Sequence, residues 1–286
     1  MKPPRRSPRG SRPAAPSVPP PRPHGEGAAE RTATPGTQTL VGIHAVREAL
    51  RAAARPLQYI AVVRDRHDAR VQELLEMARA AQVPVRFEPR EALDRLARTA
   101  QHQGVVALAA AKQALDLDEL LTELKAKHAS EESQAGLLLA LDGVEDPHNL
   151  GAILRSACAT GVEAVILPTR RSAGLTETVE RTSAGALEYV PVARANNLVQ
   201  GLERVKQAGY WLVGLDERAP KSLWQHDFKL PTALVVGAEG SGLHQLTRQT
   251  CDFLVSIPMH TGVASLNVSV ATAVVLFEII RQRQAG

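Results

Sequence analysis

From Leu40 to Ala111 the chain alternates between helical and strand-like patterns of apolar and polar positions. Ile43 to Ala53 predicts a helix and Leu57 to Val63 a strand. Ala69 to Ala81 predicts a helix with Val71, Leu74, Leu75 and Ala78 on one face; Val83 to Phe87 predicts a strand, Arg90 to Arg98 a helix and Gly104 to Ala109 a strand. These make a small α/β domain over 39–111. The polar stretch 112–135 holds a short amphipathic helix and a Ser/Glu run and reads as a linker. A second domain, 136–286, contains six apolar strand candidates: Leu137 to Leu141, Ala164 to Leu167, Tyr189 to Ala193, Tyr210 to Leu215, Ala233 to Gly237 and Phe253 to Ile257. Helical segments at Asn149 to Thr160, Leu175 to Thr182, Leu198 to Ala208 and Val268 to Arg283 lie between or after them. Such alternation predicts a parallel sheet with crossover helices, in which ligands gather at the carboxyl ends of the strands.

Composition narrows the classes. With 286 residues, two domains can each bury a core. The two cysteines, Cys158 and Cys251, form no CxxC pair and the nine histidines are scattered, so neither a zinc cluster nor a disulfide framework is supported. No apolar run approaches the length of a membrane span and the N-terminus lacks the apolar segment of an export signal. The expectation is a cytoplasmic protein without membrane or metal.

The net charge of +4 is unevenly spread. Residues 1–38 carry seven Lys/Arg against Glu26 and Glu30, together with 10 of the 19 prolines, while the remainder is close to neutral. That tail buries too little to offset its ordering entropy and reads as disordered, either a loose electrostatic grip on nucleic acid or a solvated arm without a role. A mitochondrial presequence is a third reading, opposed by the prolines. The 40–111 segment has eleven arginines and no lysine, against eight carboxylates. Planar guanidinium suits phosphates and base edges, although a bias towards arginine codons gives the same count.

Three stretches place Gly, Asn, Ser, Glu and Arg directly after apolar strands. In LDGVEDPHNLGAILRSA, Asn149 falls where a helix N-cap is expected and Arg155 falls between core positions, as either a surface ion-pair residue or a functional cation. In LVVGAEGSGL a strand runs into three glycines around Glu239. It lacks the P-loop lysine and matches neither G-x-G-x-x-G nor G-x-S-x-G, so nucleoside triphosphate, classical dinucleotide and hydrolase readings fail on spacing. In IPMHTGVASLNVSVATAVVLFE, Ser265, Asn267 and Ser269 lead a long apolar helix.

Taken in order, N-x5-R, G-x-E-G-x-G-L and I-P-M…S-L-N-V-S-V-A resemble the three motifs of the SpoU-type ribose 2′-O-methyltransferases, a branch of the trefoil-knotted (SPOUT) methyltransferases. The resemblance covers Gly136 to the end. VGIHAVREAL and QHQGVVALAA are similar to the substrate-binding domain of the bacterial enzyme that methylates a guanosine ribose in the peptidyl-transferase loop of 23S rRNA. The resemblance implies an α/β fold with a six-stranded parallel sheet and deep trefoil knot, preceded by a domain like the L30e ribosomal proteins. It also implies S-adenosylmethionine as methyl donor, held near Gly237, Ile257 and Leu266, with active-site positions Asn149, Arg155, Glu239, Ser265 and Asn267. The resemblance implies Arg155 as the base; because guanidinium is effectively never deprotonated in proteins, the alternative is that Arg155 stabilises the developing alkoxide and grips the adjacent phosphate, with Glu239 orienting it and Asn149 and Asn267 orienting the ribose. The implied partners are 23S rRNA and a second copy of the chain. A tRNA ribose substrate and a non-catalytic assembly factor that binds RNA are the alternatives.

Overall fold

The computed structural model describes residues 36–64, 66, 68–130, 135–260 and 265–284. The basic, Pro-rich tail therefore lies almost wholly outside the described residues. Its last three positions do not: Gly36 lies in a turn, and Thr37 and Gln38 belong to strand β1 (Thr37–Val41), which pairs antiparallel with β4 (Val105–Ala110). The tail ends earlier than its polarity suggests, because the partner that makes TQTLV a strand sits some seventy residues downstream.

Between these strands lie α1 (Ile43–Ala52), β2 (Leu57–Val63), α2 (Ala69–Ala80), β3 (Val85–Glu88) and α3 (Arg90–Ala97), all within a few residues of the expected segments. Sheet order is β1-β4-β2-β3, with β2 and β3 parallel. Asp68 caps α2 by accepting from the amides of Arg70 and Val71. Val46, Ile60, Val62, Val71, Leu74 and Val105 form the core of this domain.

The stretch expected as a linker is instead built into the second domain. Strand β5 (Leu115–Asp116) pairs parallel with β8 (Val192–Ala195), and α4 (Leu117–Ser130) buries Leu117, Leu120, Leu121 and Leu124 against the large sheet. The sheet accordingly has seven strands rather than six. The remaining elements are β6 (Leu137–Asp142), α5 (Pro147–Ala159), β7 (Ala164–Pro168), α6 (Glu177–Ser183), α7 (Leu198–Gln207), β9 (Trp211–Leu215), β10 (Thr232–Gly237), α8 (Gln245–Thr250), β11 (Phe253–Val255) and α9 (Val268–Gln284). Sheet order is β11-β9-β10-β6-β7-β8-β5 and every pairing is parallel. Strand β8 starts later than expected because Ala186–Glu188 winds into a 3-10 turn.

The chain builds β6, β7 and β8 outward to one side, then crosses back to lay β9, β10 and β11 on the other. Strands β6 and β10 become neighbours at the reversal, with Asp142 opposite Gly237 at their carboxyl ends. This is where an open parallel sheet leaves a crevice. Helix α6 lies against α5 because residue 151 is glycine: a Cβ there would fall 1.8 Å from Thr182 Oγ1.

A buried charge cluster ties the two domains together. Arg55, in the turn before β2, donates to Glu180 Oε1 at 2.5 Å, to Glu188 Oε1 at 2.5 and 3.0 Å, and to Gln38 Oε1 and the Ala110 carbonyl at 3.0 Å each. Tyr189 donates to Glu48 across the same boundary at 2.7 Å. Burial raises the Glu180 carboxyl above the ordinary range despite the Arg55 guanidinium beside it. Removing Arg55 strands two buried carboxylates, so Arg55→Ala is expected to cost about 3–5 kcal/mol in urea melts. Because Glu180 binds its proton more tightly folded than unfolded, its contribution is complete below the unfolded-chain pKa and fades as pH rises through the folded one. Glu180→Gln therefore costs less than Arg55→Ala, and its cost shrinks as pH rises above the usual carboxylate range.

Candidate active site at the carboxyl ends of β6, β10 and β11

Each of the three stretches singled out in the sequence leaves the carboxyl end of a strand of the large sheet. The β10 stretch turns back on itself at once. Ala238 and Gly242 exchange backbone hydrogen bonds of 3.1 and 2.9 Å, so residues 238–242 form a closed loop over the end of β10. Gly237 makes this possible: a Cβ there would lie 2.1–2.3 Å from backbone atoms of Gly242 and Leu243. The loop is anchored from β6. Asp142 Oδ2 accepts from the His244 amide at 2.9 Å, and Asp142 Oδ1 lies 2.9 Å from His244 Nδ1. Sequence reasoning missed this pair; its signal is an acidic residue ending a buried apolar strand.

Asn149, Glu239 and Asn267, one from each stretch, are joined by hydrogen bonds. Asn267 directly precedes α9, and its Oδ1 accepts from the Ser269 amide at 3.0 Å and hydroxyl at 2.6 Å. That leaves its Nδ2 to donate, which it does to Asn149 Oδ1 at 3.0 Å; Asn149 Nδ2 then donates to Glu239 Oε2 at 3.1 Å. With amide oxygens accepting from one side and amide nitrogens donating to the other, the direction of the relay is set from the α9 end to the carboxylate. Asn149 is not the helix cap expected of it. Asp146 caps α5, accepting from the His148 amide, with Pro147 in the first turn, and this frees the Asn149 side chain for the relay.

Beside the relay lies a cavity of about 670 Å³. Its walls include Gly237, Ile257 and Leu266, the three residues expected near a cofactor, together with Glu239 and Ser265. Leu215, Val236 and Ala271 add apolar surface, and Asp216, Glu217 and Arg218 line one side. Asp216 accepts from the Arg218 amide at 2.8 Å and from Arg248 Nε at 2.5 Å. A concave site of this size, mostly apolar with a few polar groups, is what a drug-sized ligand requires. Among the described residues no cluster of His, Cys, Asp or Glu is placed to hold a metal ion. Nor is any described helix long and apolar enough to cross a membrane.

Arg155 stands apart. Six residues beyond Asn149 on α5, it is turned about 120° around the helix and displaced about 9 Å along it. It is exposed, lines no wall of the cavity, and forms no hydrogen bond with Asn149, Glu239 or Asn267. The expected contact in which Glu239 orients Arg155 is therefore absent from the chain as folded here; Glu239 holds Asn149 instead. Two further arginines, Arg170 and Arg171, follow β7 and are likewise exposed.

A doubly connected parallel sheet with a glycine-cradled cavity and an amide relay at its reversal defines a small-molecule-binding α/β enzyme joined to an accessory domain. Residues 136–277 match the SpoU rRNA Methylase family and residues 39–115 match the family described as RNA 2′-O ribose methyltransferase substrate binding. The chain belongs to the SpoU rRNA methylase family. It is 47% identical over 246 residues to the 23S rRNA (guanosine-2′-O-)-methyltransferase RlmB of Pseudomonas aeruginosa, covering 86% of this chain and 97% of that one. To the protein of the same description from Ralstonia nicotianae it is 48% identical over 248 residues, covering 86% and 96%. Among solved structures it is similar to the SpoU methyltransferase AviRb of Streptomyces viridochromogenes in complex with the cofactor AdoMet, with a TM-score of 0.71, 27% identity, and coverage of 88% of this chain and 92% of that one.

Proposed function

We propose that this chain transfers a methyl group from S-adenosylmethionine to the ribose 2′-hydroxyl of a guanosine in 23S rRNA. Its activity as an S-adenosylmethionine-dependent RNA 2′-O-methyltransferase follows from its family, and the guanosine of 23S rRNA from the relatives that share nearly half its residues along almost their whole length. The observation that carries the reading is the meeting of Asn149, Glu239 and Asn267 beside one cavity that already contains Gly237, Ile257 and Leu266.

The residues present fit the cofactor. The closed glycine loop offers backbone groups at close range, Ile257 and Leu266 offer apolar walls for a purine, and Asp216 and Glu217 offer negative charge to a cationic ligand. When bound, S-adenosylmethionine supplies an electrophilic methyl on a sulfonium. Asn149 and Asn267 orient the ribose by hydrogen bonds, and Glu239 fixes the Asn149 amide so that this orientation is prepaid. Arg155 grips the phosphate next to the target ribose and stabilises negative charge growing on its oxygen. A guanidinium stays protonated in proteins, so we assign Arg155 this electrostatic role rather than that of base, and the hydroxyl proton leaves to solvent. Ser265 adds a hydroxyl at the rim.

Three finer features belong to this reading. Residues on both sides of 261–264 line the same cavity as the glycine loop, which supports threading of the C-terminal segment as a trefoil knot. Val270 and Phe277, seven residues apart and exposed on one face of α9, support a homodimer; a sedimentation mass of one chain would exclude it. The arginine-rich domain, of the L30e kind, docks on RNA phosphates, in the cytoplasm where rRNA is made.

Incubating the protein with labelled S-adenosylmethionine and unmodified 23S rRNA is expected to place label on a single guanosine ribose. Label on tRNA instead would move the substrate, and RNA binding without label would leave an assembly factor.

A further inference from the structure

Between β7 and α6 the chain makes a loop, residues 169–174, that is pinned with unusual care for a surface segment. Thr169 donates its amide to the Ala195 carbonyl at 2.9 Å and its hydroxyl to Asn196 Oδ1 at 3.1 Å. The Ala173 amide reaches the Val144 carbonyl at 2.9 Å. From β8, the half-buried Arg194 fills the inside of the loop: Nη1 donates to the Pro168 carbonyl at 2.8 Å and to Ser172 Oγ, and Nη2 to the Ala173 carbonyl at 2.9 Å. The oxygens it reaches here, on Pro168, Ser172 and Ala173, are all neutral, so none of them is a carboxylate that would cancel its charge.

The loop holds two further arginines outward. Arg170 and Arg171 are exposed and make no hydrogen bond or ion pair among the described residues. Arg171 sits at φ 56°, a left-handed conformation uncommon for any residue but glycine. Its side chain walls a groove of about 560 Å³ whose other side is Glu145 and Pro147, the latter in the first turn of α5 and two residues from Asn149. Of the three arginines at this loop, Arg171 lines the groove, Arg170 precedes it in the chain and is exposed, and Arg194 holds the loop from behind; Glu145 is the one carboxylate in the groove's lining. Unpaired cations on a rigid support, next to the place where a ribose is to be held, match a flanking phosphate.

The geometry points to this groove as the seat of the RNA backbone flanking the methylated nucleotide, with Arg170 and Arg171 as its phosphate ligands and Arg194 as the positioning residue that presents them. The inference rests on the RNA substrate proposed above. It assigns a second foothold for RNA, on the catalytic domain and separate from both the arginine-rich domain and Arg155.

The test is steady-state methylation of a 23S rRNA fragment, with RNA affinity measured across salt concentrations. Arg170→Ala/Arg171→Ala is expected to raise the KM for RNA about tenfold or more with kcat within about threefold. It should also flatten the dependence of log affinity on log salt by about 1.4, the share of two contacts to single-stranded phosphates. Affinity for S-adenosylmethionine should not move. Arg194→Ala is expected to reproduce most of the KM rise, and adding it to the double variant should raise KM no further, a non-additivity that general destabilisation would not produce. Glu145→Gln, which only removes the opposing charge, should lower the KM. If the wild-type protein methylates the fragment while the double variant keeps its KM and salt slope, this inference is overturned and the function stands. If the wild-type protein neither binds nor methylates RNA, both fall.

Discussion

Gly237→Ala is expected to lower catalytic efficiency by about 100-fold or more, chiefly through loss of affinity for S-adenosylmethionine. The added methyl would sit 2.1 Å from the Gly242 carbonyl carbon and 2.3 Å from the Leu243 nitrogen, whereas ordinary contacts are well over 3 Å. Neither obstacle is a side chain that can swing away. The closed loop must lift by more than an ångström, which breaks the paired bonds between Ala238 and Gly242 and shifts the anchor at His244 and Asp142. Glu239 travels with the loop, so its 3.1 Å bond to Asn149 goes too. Overpacking of this kind costs roughly 1–3 kcal/mol of stability, which a protein of this size tolerates. A folded variant with an ordinary thermal transition and weak cofactor binding by calorimetry is therefore the expected result. Wild-type affinity would mean the cavity beside β10 is not the cofactor site.

Arg155→Ala separates chemistry from cofactor binding. Since Arg155 contributes no wall to the 670 Å³ cavity, affinity for S-adenosylmethionine should stay within about twofold. Turnover is expected to fall by about 10²–10³, the usual consequence of removing a donor from a developing oxyanion. Arg155→Lys should recover only part of this, because an ammonium lacks the planar fork that engages a phosphate in two places. Its place on the exposed side of α5 carries no stabilising role, so the melting temperature should not change. Single-turnover assays with saturating cofactor would read the effect directly, and turnover at the wild-type rate would remove Arg155 from the mechanism.

Much of the N-terminal domain was legible because its elements are amphipathic by themselves: Val71, Leu74 and Ala78 recur at helical spacing and are buried on one face of α2. The two-residue strand β5 was not, since nothing in Leu115–Asp116 distinguishes a strand until β8 lies beside it. Nor was α4 recognisable as part of the second domain. Its leucine face announces that something covers it without saying what, and the covering surface is assembled from β6, β7, β8 and β10. At the site, residue types were readable and relations were not. Asn149 looked like a cap from its position after a turn; the cap is Asp146, and Asn149 is spent on partners 90 and 118 residues away. The interdomain role of Arg55 had no local signal either, as its carboxylates lie 125 and 133 residues on.

The sequence by itself determined the family, the strand and helix alternation, and which polar residues follow which strands, because these depend on local pattern and on short motifs. Only the tertiary structure decided that three of those residues form one hydrogen-bonded relay, that Arg155 stands outside it, and that the presumed linker completes the sheet. Such contacts depend on strand order and register, and a parallel sheet sets both through connections far longer than any pattern the chain carries in one place.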